Sequence, residues 1–182
     1  ILPKFTGGFN SSLSYKRFFV SFVVDFQKGG RFISTTKMFN HYSGLAEETA
    51  GLNDRGKPKR DPVASGGGVR LDGINQTTGK ANDVYVETQD LYEGALFSVW
   101  ENWMYDASYM KLRELSIGYD LPKTLFGKAR IQGARLSLIG QNLWLISSKV
   151  KGIDPSELEQ SWLEGGQLPG TRTMGVNLKI TF

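Results

Sequence analysis

The sequence predicts an all-β fold in which about five long antiparallel strands form part of a transmembrane β-barrel. Three observations predict it. Long runs alternate apolar with polar residues at a period of two, which is a strand with one greasy and one wet face. The connections between these runs are by turns short, long, short and long. The 182 residues include 22 Gly beside 11 Phe, 7 Tyr and 4 Trp, a mixture that favours a turn-rich strand protein over a helical bundle.

The first run sets Phe5, Gly7, Phe9, Ser11, Leu13 and Tyr15 against Thr6, Gly8, Asn10, Ser12 and Ser14. After a tight break at Tyr15 to Arg17, Phe18, Val20, Phe22, Val24 and Phe26 oppose Phe19, Ser21, Val23, Asp25 and Gln27. Two such runs so closely joined predict a hairpin of strands 5–15 and 18–28, closed by Lys28 to Gly30. From 31 to 106 the pattern dissolves into turn formers, with a short helix or capping turn expected at "SVWENWMYDASY". So long a loop is uncommon in a compact soluble domain unless it carries function.

Alternation returns in strand 108–121, where Leu115, Ile117, Tyr119 and Leu121 oppose Glu114, Ser116, Gly118 and Asp120. Met110 and Leu112 are out of phase with that set, which predicts a bulge near Arg113. Pro122 ends the strand, since it cannot donate to a ladder. Strand 134–145 sets Leu136, Leu138 and Gly140 against Arg135, Ser137 and Gln141, with Ile139 interrupting the polar face. An acidic, Gly-rich segment, 147–170, leads to the last strand, 171–182, where Val176, Leu178, Ile180 and Phe182 alternate with Asn177, Lys179 and Thr181.

If the strands run antiparallel, both short turns fall at one end and both long loops at the other. That is the layout of an outer-membrane barrel with periplasmic turns and extracellular loops, here 31–106 and 147–170. The strands also reach the roughly 9 to 11 tilted residues that cross a bilayer. On this layout Asp25, Gln27, Glu114, Arg135, Gln141, Asn177 and Lys179 face the lumen and the apolar set faces lipid. Tyr15, Phe18, Tyr119 and Phe182 at one end, with Phe5, Phe26 and Trp144 at the other, suit two interfacial girdles, although aromatics are common in any strand. Five strands leave two unpaired edges, so the rest of a barrel must come from further residues or other chains.

Other chemistry is thin. The chain has no Cys, which excludes disulfides, thiolate nucleophiles and Cys-ligated metal. A net charge of +4 is mild, and the one basic run, Arg55 to Arg60, reads as a solvated loop and not as a nucleic-acid patch. No stretch is apolar enough for a membrane helix, and the first residues do not read as a signal peptide, so an exported protein is expected to begin upstream. The single histidine, His41, reads as a solvated loop residue, with no partner set for a catalytic triad or a His-metal site. "SGGGVRLDG" (Ser65 to Gly73) lacks the Lys-Ser/Thr pair of a phosphate loop and reads as flexible. Asp154, Glu157, Glu159 and Glu164 offer oxygen ligands for Ca²⁺ but lack EF-hand spacing; a hydrated acidic loop is the competing reading, and no metal or cofactor is assigned. Trp100, Trp103 and Tyr105 present flat rings for a sugar or a protein partner, or simply pack within the loop.

"DASYMKLRELSIGYDLP" (Asp106 to Pro122), "LSLIGQNLW" (Leu136 to Trp144), "GIDPSE" (Gly152 to Glu157) and a last strand ending in Phe, with "FTGGFN" (Phe5 to Asn10) and "FQKGG" (Phe26 to Gly30), resemble the C-terminal part of SusC/RagA-type TonB-linked outer-membrane proteins. The resemblance implies a barrel of about 22 strands, filled by an N-terminal plug that is not in this chain. It also implies coupling to the TonB complex through that missing part, a SusD-like surface lipoprotein as partner, import of oligosaccharides or peptides, and no enzymatic activity. It implies as well the outer membrane of a Bacteroidota cell, and a role for Phe182 in the terminal signal read by the insertion machinery. The rival readings are a passive outer-membrane porin and a soluble carbohydrate-binding β-sandwich.

Overall fold

Five long strands lie side by side in sequence order. The structure, a computed structural model, describes residues 2–127, 130–158 and 160–182. In chain order the elements are β1 (Pro3–Tyr15), β2 (Phe18–Gly29), β3 (Arg31–Ser34), α1 (Thr35–Tyr42), β4 (Met104–Asp106), β5 (Tyr109–Asp120), β6 (Gly133–Ser148), β7 (Leu163–Glu164) and β8 (Thr173–Thr181). The five-stranded sheet has the order β1-β2-β5-β6-β8, and every neighbouring pair is antiparallel. The turn at Lys16 and Arg17 joins β1 to β2, and 121–132 joins β5 to β6; 30–108 and 149–172 make the connections at the other end of the strands.

The register sorts the side chains onto two unlike faces. Leu13 stands opposite Val20, Val20 opposite Ile117, Ile117 opposite Leu138, and Leu138 opposite Val176. The next row joins Tyr15, Phe18, Tyr119, Leu136 and Leu178 in the same way. This face is apolar across all five strands, and Leu13, Leu138 and Val176 are 65%, 61% and 70% exposed. The rings of Phe18 and Tyr119 lie 4.9 Å apart, and those of Phe9 and Phe22 5.8 Å. Soluble proteins rarely leave so wide an apolar surface bare.

The bulge expected near Arg113 is present. Val23 pairs with Glu114 and Val24 with Leu112, so Arg113 is the extra residue, and the β5–β6 ladder breaks at the same place. Opposite it, Asn142 takes a left-handed backbone with φ of 52°, a conformation Asn tolerates better than most residues. The extra residue restores the phase, so that Met110 and Leu112 share the apolar face with Leu115 and Ile117.

The chain divides into two units. The strand unit comprises Ile1–Phe32, Tyr105–Trp162 and Gln167–Phe182, and its small core joins Phe32, Ala107 and Val150 with Tyr105, Ile153 and Leu158. The second unit comprises Ile33–Met104 and Leu163–Gly166. Its organising element is α1, a helix inside the segment 31–106 whose residues, dense in turn formers, predict loop there. Ser34 caps the helix by accepting from Lys37 N at 3.1 Å, and Met38 is its buried residue. Around it Phe39, Tyr42, Phe97, His41, Tyr92 and Trp103 form an aromatic cluster with neighbouring ring centroids 5.0 to 6.4 Å apart. A 3₁₀ turn at Trp100–Trp103 fills the place where a short helix or capping turn was expected.

Candidate functional site

The second face of the sheet is polar, and the ladder places all seven residues read as lumen-facing on it. Glu114 stands opposite both Val23 and Gln141; Arg135 stands opposite Asp120 and Lys179; Ser137 stands opposite Asn177; Asp25 and Gln27 lie opposite Lys111 and Tyr109. They are not equivalent. Arg135 grips Asp120 with two hydrogen bonds of 2.6 and 2.9 Å and stacks over Phe19. Gln27 donates to the carbonyls of Ala107 (3.2 Å) and Gly29 (3.3 Å), which ties it to backbone at the strand end.

Asp25 belongs to an ion-pair clasp that the sequence did not announce. Lys111, two positions from the bulge, is 3% exposed, and its ammonium donates to Asp154 and Glu157 at 2.7 Å each. From the bulge itself, Arg113 donates through Nε to Asp25 at 2.8 Å, through Nη1 to Glu157 and to Asn142 Oδ1 at 3.2 Å, and through Nη2 to Ser156 O at 3.2 Å. Asp154 also accepts from the amide and hydroxyl of Ser156 and so caps the short turn Pro155–Glu157. Burial pushes Asp154 up, but the Lys111 ammonium and the Ser156 donors outweigh it and hold the carboxyl below its ordinary value. The same ammonium, helped by Arg113 and opposed by burial, holds Glu157 below its own.

The clasp corrects the reading of 147–170 as a hydrated acidic loop. Asp154 and Glu157 are spent on two cations of β5, so that stretch folds back onto the polar face of the sheet. Glu164 lies apart in the second unit, 3% exposed, accepting from the hydroxyls of Ser34 and Thr36. Glu159 lies outside the described residues. Among the described residues no three acidic or histidine side chains are grouped to hold a metal. Nothing short-range in "GIDPSE" reveals that its carboxylates belong to lysine and arginine more than 40 positions upstream; the sequence separations are 43, 44 and 46.

Two further expectations for the long segment change. His41 is a helix residue with an 11% exposed side chain, its Nδ1 2.8 Å from Lys37 O and its ring 5.2 Å from that of Tyr92 and 5.1 Å from that of Trp103, and not a solvated loop histidine. Because a carbonyl only accepts, Nδ1 carries the proton. The glycines of Ser65 to Gly73 are a tight turn and not a flexible loop: a Cβ on Gly67 would lie 2.0 Å from Asp61 O, and Asn53 Nδ2 donates to the carbonyls of Gly66 and Gly68. The basic run lies in an exposed loop, as expected, where Arg55 sits over the Tyr85 ring at 3.5 Å, Lys59 donates to Glu48 O, and Arg60 donates to Gly44 O and Thr49.

The three aromatic candidates separate. Trp103 is buried and donates Nε1–H to Phe97 O at 3.2 Å; Tyr105 packs in the strand-unit core beside Phe32 at 6.1 Å; Trp100 is exposed. Phe182 lies just beyond β8 and is exposed. In the second unit a cleft of about 600 Å³ is bordered by His41, Tyr92, Arg60, Glu87, Asp90 and Glu93, within the size range of small-molecule sites.

No family model matches the chain. It is similar along its whole length to TonB-dependent receptors. TonB-dependent receptor P3 of Formosa agariphila is 29% identical over 190 aligned positions, covering 98% of this chain and 16% of that protein. TonB-dependent receptor P26 of the same organism is 28% identical over 193 positions, covering 100% and 17%. Among solved structures, the RagAB peptide importer in its "closed-closed" and "open-open" states matches with a TM-score of 0.59 and 20% identity over 100% of this chain and 17% of that chain. That likeness shows the fold. The chain spans about a sixth of the length of the proteins it matches.

Proposed function

We propose that this chain is a wall segment of a TonB-dependent transporter in the outer membrane, a non-enzymatic importer of peptides or oligosaccharides. The observation that carries the reading is the division of one five-stranded sheet into a bare apolar face and a polar face onto which the chain folds back. Lipid suits the first and a filled, aqueous lumen the second. The similarity to TonB-dependent receptors, which takes in both faces and both long segments, supports it. The two open edges, β1 and β8, then pair with strands from the remainder of a barrel of about 22 strands, whose plug couples to the TonB complex. The lumen-facing set is Asp25, Gln27, Glu114, Arg135, Gln141, Asn177 and Lys179. The segments 31–106 and 147–170 lie outside the cell, and the exposed Trp100 is the one ring of the three free to meet substrate or a SusD-like lipoprotein.

The test is single-cysteine labelling of the full-length protein on intact cells. Cysteines replacing the exposed Lys57 and Lys151 react with an impermeant maleimide, and one replacing Arg17 reacts only after lysis; the opposite pattern inverts the topology, and uniform reaction of a soluble product discards the membrane. Uptake that survives a protonophore makes the barrel a passive pore and not a coupled importer.

A further inference from the structure

The cleft of the second unit holds charges of both signs that do not satisfy one another. Arg60 spends Nε on Thr49 O and Nη2 on Gly44 O and Thr49 Oγ1, and the two donors of Nη1 meet no acceptor among the described residues. Among the described residues no carboxylate lies within ion-pair distance of it. The same cleft is bordered by Glu87, Asp90 and Glu93. Glu87 accepts from Val63 N and Glu93 from Gln89, and none of the three has a cationic partner among the described residues. The rings of His41 and Tyr92, 5.2 Å apart, add apolar wall.

A neutral glycan entering this cleft can hydrogen-bond both kinds of charge through its hydroxyls, but it neutralises neither. A zwitterion neutralises both, with its ammonium on the carboxylates and its own carboxylate on the free edge of the guanidinium, a geometry that arginine favours. We propose that the cleft binds short peptides through their two charged termini. This narrows the substrate class of the importer reading and rests on it.

Titration calorimetry on the full-length protein in detergent tests the assignment with four probes: trialanine, N-acetyl-trialanine, trialanine amide and maltotriose. Trialanine is expected to bind, and blocking either terminus to weaken it by about tenfold, the scale of one lost charge-assisted contact. Asp90→Asn with Glu93→Gln should lower trialanine to the affinity of the N-acetyl form while leaving that form unchanged. The blocked peptides need no altered protein, so a misfolded variant does not spoil the test. Equal binding of blocked and free peptides, no binding of trialanine, or maltotriose binding with the same sensitivity to the two substitutions overturns the proposal. If any of these occurs while the labelling pattern at Lys57, Lys151 and Arg17 holds, the cleft assignment fails alone and the outer-membrane reading stands.

Discussion

The two units of this chain are held together by different means. In the strand unit the backbone ladders supply regularity, and the side chains are left to choose between two surroundings. In the second unit the one α-helix among the described residues spans Thr35–Tyr42, and much of the order comes from side chains bound to backbone: Arg60 on Gly44 and Thr49, Asn53 on Gly66 and Gly68, Asn82 on Leu71 O. The first unit is therefore sensitive to where a residue points, and the second to which polar atom it carries. The clasp is the exception that connects these lessons, for it is a polar-atom device seated on a strand.

The largest expected effect falls on that exception. Lys111→Met leaves the carboxylates of Asp154 and Glu157 without their shared ammonium, and breaking a buried ion pair from one side costs about 3 to 5 kcal/mol. Urea unfolding of the refolded full-length protein should register it; a loss below 1 kcal/mol would mean that water replaces the lysine freely. Next comes orientation within one strand. Leu178→Arg places a cation on the apolar face, at a cost of roughly 2 to 4 kcal/mol at mid-bilayer, whereas Asn177→Arg places it on the polar face at little cost. Folding yields into liposomes compare the neighbours directly, and equal yields would erase the distinction between the faces.

A smaller effect is expected in the second unit. Ser34→Ala removes the cap of α1 and one of the hydroxyls on the buried Glu164, and loss of such a cap costs about 0.5 to 2 kcal/mol. Hydrogen exchange should rise at the amides of Lys37 and its neighbours and stay unchanged in β5 and β6; a rise in both units would show them to be one cooperative body. The smallest is a matter of acidity. Asp154 and Glu157 are held below their ordinary values near 4, so their contribution is complete above that range and fades as pH falls through the lowered values. A spin label at Lys151 should gain mobility below about pH 4, in the range where those carboxyls protonate. Mobility that instead rises between pH 5 and 7 would point to a group outside the clasp.

How much of this was legible follows from the same contrast. Alternation exposed the strands, and a slip in its phase exposed the bulge at Arg113, because a ladder imposes one period on many residues at once. The seven residues read as lumen-facing share one face for the same reason. Lys111 gave no such signal. In "MKLRE" it is one more polar position, and its partners are set by a fold-back no local pattern encodes. His41 looked solvated because a helix of eight residues shows little more than two turns of periodicity. Gly66 to Gly68 looked loose because glycine marks both slack chain and the closest approach of two backbones.

The pairing of Ser34 with Glu164 spans 130 residues of sequence. Synthesis and export run from the N-terminus, so α1, the aromatic cluster and four of the five long strands are all made before the carboxylate that completes the helix cap arrives. The second unit thus cannot close early, however favourable its local contacts, since its last piece is delivered by the connection between β6 and β8. Closure of so long a loop is entropically slow to begin and inexpensive to lengthen further. A protease cut in the exposed stretch around Arg55 would for the same reason not release the loop: the fragments would remain joined through Ile33, Ser34, Leu163 and Glu164.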